Sequence, residues 1–176
     1  PLRLAILDFQ HAFKHWRIWT LLGWQDIKLR YRRSYLGPFW ITISMMVLIY
    51  SMGFLYGKLF HMELKHYFPH IAIGMIVWGL INMLVSETSE IFSQSANIIR
   101  QIKLAYTVHI MRVLVRNIIV FLHNVLALVP LIVFLPIPIT PAFFWWIPGI
   151  IILSLNGMIY GLILAMLGAR YQDIKP

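Results

Sequence analysis

A chain of 176 residues that is 60% apolar and only 12% charged, with a mean hydropathy of +0.77, is too apolar for a water-soluble domain, whose apolar share is nearer about 45–50%. Its formal charge of +9 comes from 15 Lys and Arg against 6 Asp and Glu, and because the basic residues cluster beside apolar runs they point to anionic lipid headgroups rather than to nucleic acid. The absence of cysteine excludes disulfides, thiolate nucleophiles and sulfur-ligated zinc.

The first 35 residues hold seven basic side chains and no long apolar run, so they do not read as a cleavable signal peptide. Leu2, Ala5, Ile6, Phe9, Phe13 and Trp16 fall on one helical face, with Arg3, Asp8, His11, Lys14, His15 and Arg17 elsewhere. This pattern predicts an amphipathic segment, 1–35, lying along a membrane surface with its basic side chains toward phosphates. An uncharged run over 36–57 follows, about 33 Å long as a helix at ~1.5 Å per residue, and it matches a hydrocarbon core of roughly 30 Å. A second uncharged run covers 67–86.

Residues 87–103 do not cross. Ile91, Phe92, Ile98, Ile99 and Ile102 recur at helical spacing among Ser, Gln and Asn, with Glu87 and Glu90 at the start and Arg100 and Lys103 at the end, as the helix dipole favours. One surface helix is expected there. No charged residue occurs between Asn117 and Ala169, and Pro136, Pro138 and Pro141 divide this stretch into 117–135 and 143–167. With the third span placed at 108–135, the expected architecture is an all-α integral membrane protein with four transmembrane helices plus amphipathic surface helices. Thirteen Lys and Arg flank the spans on one side, against Lys58 and Lys65 on the other. The positive-inside rule therefore puts both ends of the chain in the cytoplasm.

Several polar and aromatic features stand out. His109, Arg112, Arg116 and His123 recur along one face of the third span, with Asn117 and Asn124 adjacent. Arg112 and Arg116, near its cytoplasmic end, are expected to snorkel to headgroups, and His123 and Asn124, placed near the middle, to find protein partners. Phe39, Trp40, Tyr50 and Phe54 in the first span suit either an interfacial belt or a ring-lined wall along which a sugar polymer slides, Tyr50 and Phe54 lying too deep for the belt. Gly53 to Lys58 has one residue too few between its glycines for a phosphate loop, and Gly53/Gly57 and Gly157/Gly161 instead have the spacing of close helix contacts. The pairs His11/His15 and His66/His70 lack a third ligand, so no metal is expected. No nucleophile or acid–base constellation emerges, and no nucleotide-binding motif.

The run Gln25-Asp26-Ile27-Lys28-Leu29-Arg30-Tyr31-Arg32-Arg33-Ser34-Tyr35-Leu36-Gly37-Pro38-Phe39-Trp40 resembles the approach to the first span in type-2 ABC permeases that export bacterial polysaccharides such as O-antigen, capsule and teichoic acid. Ser95-Ala96-Asn97-Ile98-Ile99-Arg100-Gln101-Ile102-Lys103-Leu104 and Gly168-Ala169-Arg170-Tyr171-Gln172-Asp173-Ile174 are similar to the same family at the expected places. The resemblance implies a subunit of the bacterial inner membrane that forms a homodimer and exports a lipid-linked polysaccharide. It implies no cofactor on this chain, ATP and Mg being held by a separate ABC ATPase. It makes 87–103 the coupling helix that docks on that ATPase, through Ile91, Ile98, Ile99, Arg100, Ile102 and Lys103. Lys28, Arg30, Arg32 and Arg33 would anchor the topology or receive the lipid phosphate. Such permeases have six spans and this chain stops after four, so it is expected to be a fragment. Two other functions fit the residues: a small-molecule or drug exporter of the same superfamily, and a membrane-embedded glycosyl- or lipid-modifying enzyme.

Overall fold

The computed structural model describes residues 2–32, 35–37, 39–61, 63–135 and 141–171. It is helical, with α1 at Leu2–Lys14, α2 at Trp16–Arg30, α3 at Phe39–Leu59, α4 at Leu64–Gln94, α5 at Ala96–Gln101, α6 at Tyr106–Val125, α7 at Val129–Phe134 and α8 at Trp146–Arg170. Four segments are long and apolar enough to cross a membrane: Phe39–Leu59, Tyr67–Gln94, Tyr106–Phe134 and Trp146–Arg170. The all-α, four-span expectation holds. The third segment is nearly continuous through α6 and α7, tightened into a 3₁₀ turn at Leu126–Leu128. Pro130 explains the tightening, since its ring has no N–H and crowds the carbonyl four residues back, that of Leu126. By contrast α4 passes through Pro69 without breaking.

The helices differ in length. At ~1.5 Å per residue α3 is about 31 Å long, close to a bilayer core, whereas the 31 residues of α4 and the 29 of the third segment reach about 46 Å and 43 Å. The excess lies at one end of the bundle, called here the basic end, where α1 and α2 pack on α6. The start of α3 fixes the relative levels: Thr42 Oγ1 donates to the His123 carbonyl oxygen at 2.9 Å, and the Phe39 ring meets the His123 ring edge-on at 6.3 Å. Arg112 and Arg116 thus lie beyond the start of α3, and His123 and Asn124 are level with it rather than at mid-span.

Two apolar cores follow. The larger joins Ile49 of α3, Phe68, Ala72, Ile76, Leu80 and Leu84 of α4, and Phe121, Ala127 and Leu131 of the third span. Gly53 lets α3 approach α4, since a Cβ there would stand 2.5 Å from the Phe68 ring. The smaller core, at the basic end, joins Ile91 of α4, Ile110 and Val113 of α6 and Ala165 of α8. There Gly161 lies under Thr88 and Ile110, and a Cβ would meet them at 3.1 and 3.2 Å. The glycine pairs noted in the sequence are therefore contacts within this chain.

Candidate functional site at the basic end

Between α4 and α6 the chain turns at Ser95, which is buried, and runs through the six residues of α5 and the link 102–105. The single surface helix expected over 87–103 is divided: 87–94 belongs to α4, and only α5 and the link stand apart. The division has a physical cause, because Ile91 is core, 2% exposed, and Glu87 is held by basic side chains of two other helices, so α4 continues until those contacts are made. Of the residues assigned to coupling, Ile98 and Ile99 are half-buried, Arg100 and Lys103 are exposed, and Ile102 is 53% exposed. Ile91 faces inward and presents no surface.

A charged cluster joins the helices on either side of this segment. Arg112 of α6 grips Asp26 of α2 with two bonds, the Nε–H donating to Oδ2 at 2.6 Å and the Nη2–H to Oδ1. Arg116, one turn further on, bridges two carboxylates: its Nη1–H donates to Asp26 Oδ2 at 3.1 Å and its Nη2–H to Glu87 Oε2 at 2.7 Å. Arg30 of α2 donates to Glu87 Oε1 at 2.8 Å, and the Asn117 amide donates to Glu87 Oε2 at 2.8 Å. Three guanidiniums and two carboxylates thus tie α2, α4 and α6 into one unit. The Arg116 and Asp26 side chains are only 9% and 10% exposed, so their attraction is weakly screened and neither can lose its partners cheaply. Burial by itself would lower the pKa of Arg30, but the Glu87 carboxylate outweighs it and holds the value above its ordinary one, so the guanidinium stays charged.

A third carboxylate fixes the start of α6. Ala105 precedes that helix and has no side chain able to cap it. Asp8 of α1 does so from outside, accepting from the Tyr106 and Thr107 backbone N–H groups at 3.0 and 2.9 Å and from the Thr107 hydroxyl at 2.7 Å. Asp8 thus ties α1 to the residues that directly follow the link 102–105. A carboxylate at a helix N-terminus also meets the positive end of the dipole.

The remaining predicted residues disperse. Lys28 lies over the Trp24 ring at 5.7 Å, Arg32 is exposed, and Arg33 lies outside the described residues. Arg30, grouped with them in sequence, is engaged by Glu87. Phe39 and Trp40 are exposed at the start of α3. Tyr50 and Phe54 pack against Phe68 of α4 at ring-centroid distances of 5.4 and 5.6 Å, and Phe54 remains 53% exposed. Instead of snorkelling, Arg112 and Arg116 are paired with protein carboxylates. His123 Nδ1 lies 2.8 Å from the Ile119 carbonyl oxygen of its own helix, and Asn124 is buried. His109 is also buried, and neither of its ring nitrogens has a partner among the described residues. No three His, Asp or Glu side chains converge as metal ligands among the described residues.

Sequence reasoning missed Asp8, Asp26 and Glu87, which carry the site. The available signal was their scarcity: with six acidic residues against fifteen basic ones, each carboxylate beside a span has a choice of cations.

Comparison with curated proteins and with solved structures finds no match. The sequence model of the family described as ABC-2 type transporter matches residues 17–175, nearly the whole chain and all four spans. A multi-pass membrane chain of this kind is the transport subunit of its system, not an enzyme, and with the match covering the bundle from α2 onward, the chain belongs to the ABC-2 type transporter family.

Proposed function

We propose that this permease exports a lipid-linked polysaccharide across the bacterial cytoplasmic membrane, as a homodimer powered by a separate ABC ATPase that docks on α5 and the link to α6. The observation that carries the reading is an exposed segment, with Arg100, Ile102 and Lys103 outward, whose two flanking helices, α4 and α6, are joined to each other and to α2 by a charged cluster. A push on α5 reaches the bundle through α4 and α6, which flank it in sequence and are locked to each other by Glu87 and Arg116. The basic end is the cytoplasmic end in this reading, in keeping with the thirteen-to-two distribution of Lys and Arg. Exposed Lys28 and Arg32 beside the start of α3 supply cations for a lipid phosphate, and the exposed rings of Phe39, Trp40 and Phe54 supply stacking faces for sugars.

Co-purification of the permease with a candidate ABC ATPase tests the reading. Ile102→Asp changes an exposed side chain and is expected to abolish capture while leaving membrane insertion intact, and Ile98→Asp is expected to act in the same direction. Stimulation of the captured ATPase by a lipid-linked glycan then tests the substrate. A specific observation favours the drug-exporter alternative: an apolar cavity of about 470 Å³ opens between α4, α6 and α8, lined by Ile73, Val77, Phe121, Trp146 and Leu153 among others. Stimulation by apolar amphiphiles without a glycan would decide for that alternative.

A further inference from the structure

The last span, α8, has two opposed faces. Toward the bundle it turns Met158, Gly161, Ala165 and Gly168, all buried, with Gly161 beneath Thr88 and Gly168 against the Ser89 backbone. On its other side Gly149, Ile152, Asn156, Ile159, Ile163 and Met166 are all exposed. These six positions follow one another by alternate steps of three and four residues, the spacing of a helix that packs along a second helix at a shallow crossing angle. One member is polar. Asn156 stands about 15 Å from the start of α8 and about 21 Å from its end at ~1.5 Å per residue, within the hydrocarbon. Its amide donates to the Ile152 carbonyl oxygen of its own helix at 2.9 Å, and its oxygen has no partner among the described residues.

Acyl chains offer that amide nothing, so a helix able to hydrogen-bond at the same depth is favoured over lipid on this stripe. A carboxamide both donates and accepts, and two of them facing each other exchange a pair of hydrogen bonds. Two copies of this chain insert the same way round, since the distribution of Lys and Arg orients each alike. Their α8 helices then run parallel, and Asn156 of one meets Asn156 of the other at equal depth. Gly149, where an added Cβ would meet nothing within 4 Å, lets the two backbones close together toward the start of α8. We propose that α8 pairs with α8 of a second copy along this stripe, the two Asn156 amides hydrogen-bonding across a two-fold axis along the membrane normal. The inference rests on the homodimer of the proposed function and names its face; it shares no residue with the segment assigned to the ATPase.

The full chain, which lacks cysteine, is tagged with donor and acceptor fluorophores, diluted in vesicles to measure dimerisation, and oxidised after single substitutions. Disulfide-linked dimers are expected from Ile152→Cys and Ile159→Cys. None is expected from Ile151→Cys, which is comparably exposed but about a third of a turn from the centre line of the stripe. Asn156→Leu, at an exposed position, is expected to weaken dimerisation by about tenfold, the effect of two interhelical hydrogen bonds, with Asn156→Gln retaining part of it. A dimer unaffected by Asn156→Leu overturns the proposal. Dimers that cross-link through Val47→Cys on α3, and not from 152 or 159, place the homodimer on another face and overturn this proposal alone. Absence of energy transfer at every dilution overturns the homodimer as well. Cysteines at 152 and 159 that stay unlinked, whether open to a lipid-soluble maleimide or shielded from it, show lipid or a different helix on the stripe and also overturn the proposal.

Discussion

The two ends of the third span, Tyr106–Phe134, are held by different physics. At the basic end, residues 106–117 carry a capped N-terminus, two arginines and an asparagine, each donating to an acidic side chain from another helix. Toward the other end, Phe121, Ala127 and Leu131 sit in an apolar core that also holds Ile49, Phe68 and Leu80, and close approach depends on glycine at Gly53. The first half is specific and brittle, because removing one charge strands another. The second is tolerant of apolar exchange but intolerant of added volume. In the proposed reading the push of an ATPase arrives at the first kind of contact, which suits it, since paired charges fix one geometry, whereas apolar surfaces slide.

The sharpest way to break this contrast is Arg116→Met. The substitution leaves Asp26 with Arg112 alone and Glu87 with Arg30 and Asn117, so the loss is expected near the lower end of the cost of breaking a buried pair, about 3 kcal/mol. Thermal unfolding in mild detergent should show a clear drop, and Glu87→Gln should cost less on top of Arg116→Met than it does alone, because the Arg116–Glu87 contact is then already gone. In the apolar half, Gly53→Leu forces a side chain against the Phe68 ring, and overpacking of this kind costs about 1–3 kcal/mol. Its partner test is Phe68→Ala in the same chain, which should relieve the clash while Glu87→Gln does not. The smallest effect expected is that of Asp8→Ala, about 1 kcal/mol for a lost cap. It should appear mainly as faster proteolysis of α1, with Asp8→Asn retaining part of the protection. If Asp8→Ala were as damaging as Arg116→Met, α1 would have to be part of the core unit rather than an arm attached to it.

Much of the fold was legible because the spans are uncharged runs of bilayer length, and TM helices satisfy their own backbone whatever surrounds them. Their ends were not. Glu87 looked like the start of a surface helix because it is the first charge after an apolar run, yet α4 continues through it to Gln94, since Arg30, Arg116 and Asn117 surround its carboxylate. Likewise His123 and Asn124 were placed near mid-span by counting from the charged residues, whereas α6 begins well before the level of Phe39. The hydrogen-bonded partners that decide both cases are 29 to 81 residues apart in the chain, and no local period encodes them. The surface position of Arg100, Ile102 and Lys103 was legible because the mix of apolar and polar residues there serves a surface; Ile91 shares that pattern but is consumed by the smaller core.

The measurement that tests the central claim most directly is site-specific cross-linking to the ATPase. The chain contains no cysteine, so a single Cys can be placed without background. Cys substituted for Ile102, in the link beyond α5, is compared with Cys substituted for Val133, exposed at the far end of the third span. The account predicts a permease–ATPase cross-link from position 102 and none from position 133. Cross-linking from 133 alone, or from neither position in a complex that still hydrolyses ATP, would contradict the assignment of the basic end as the face that receives the ATPase.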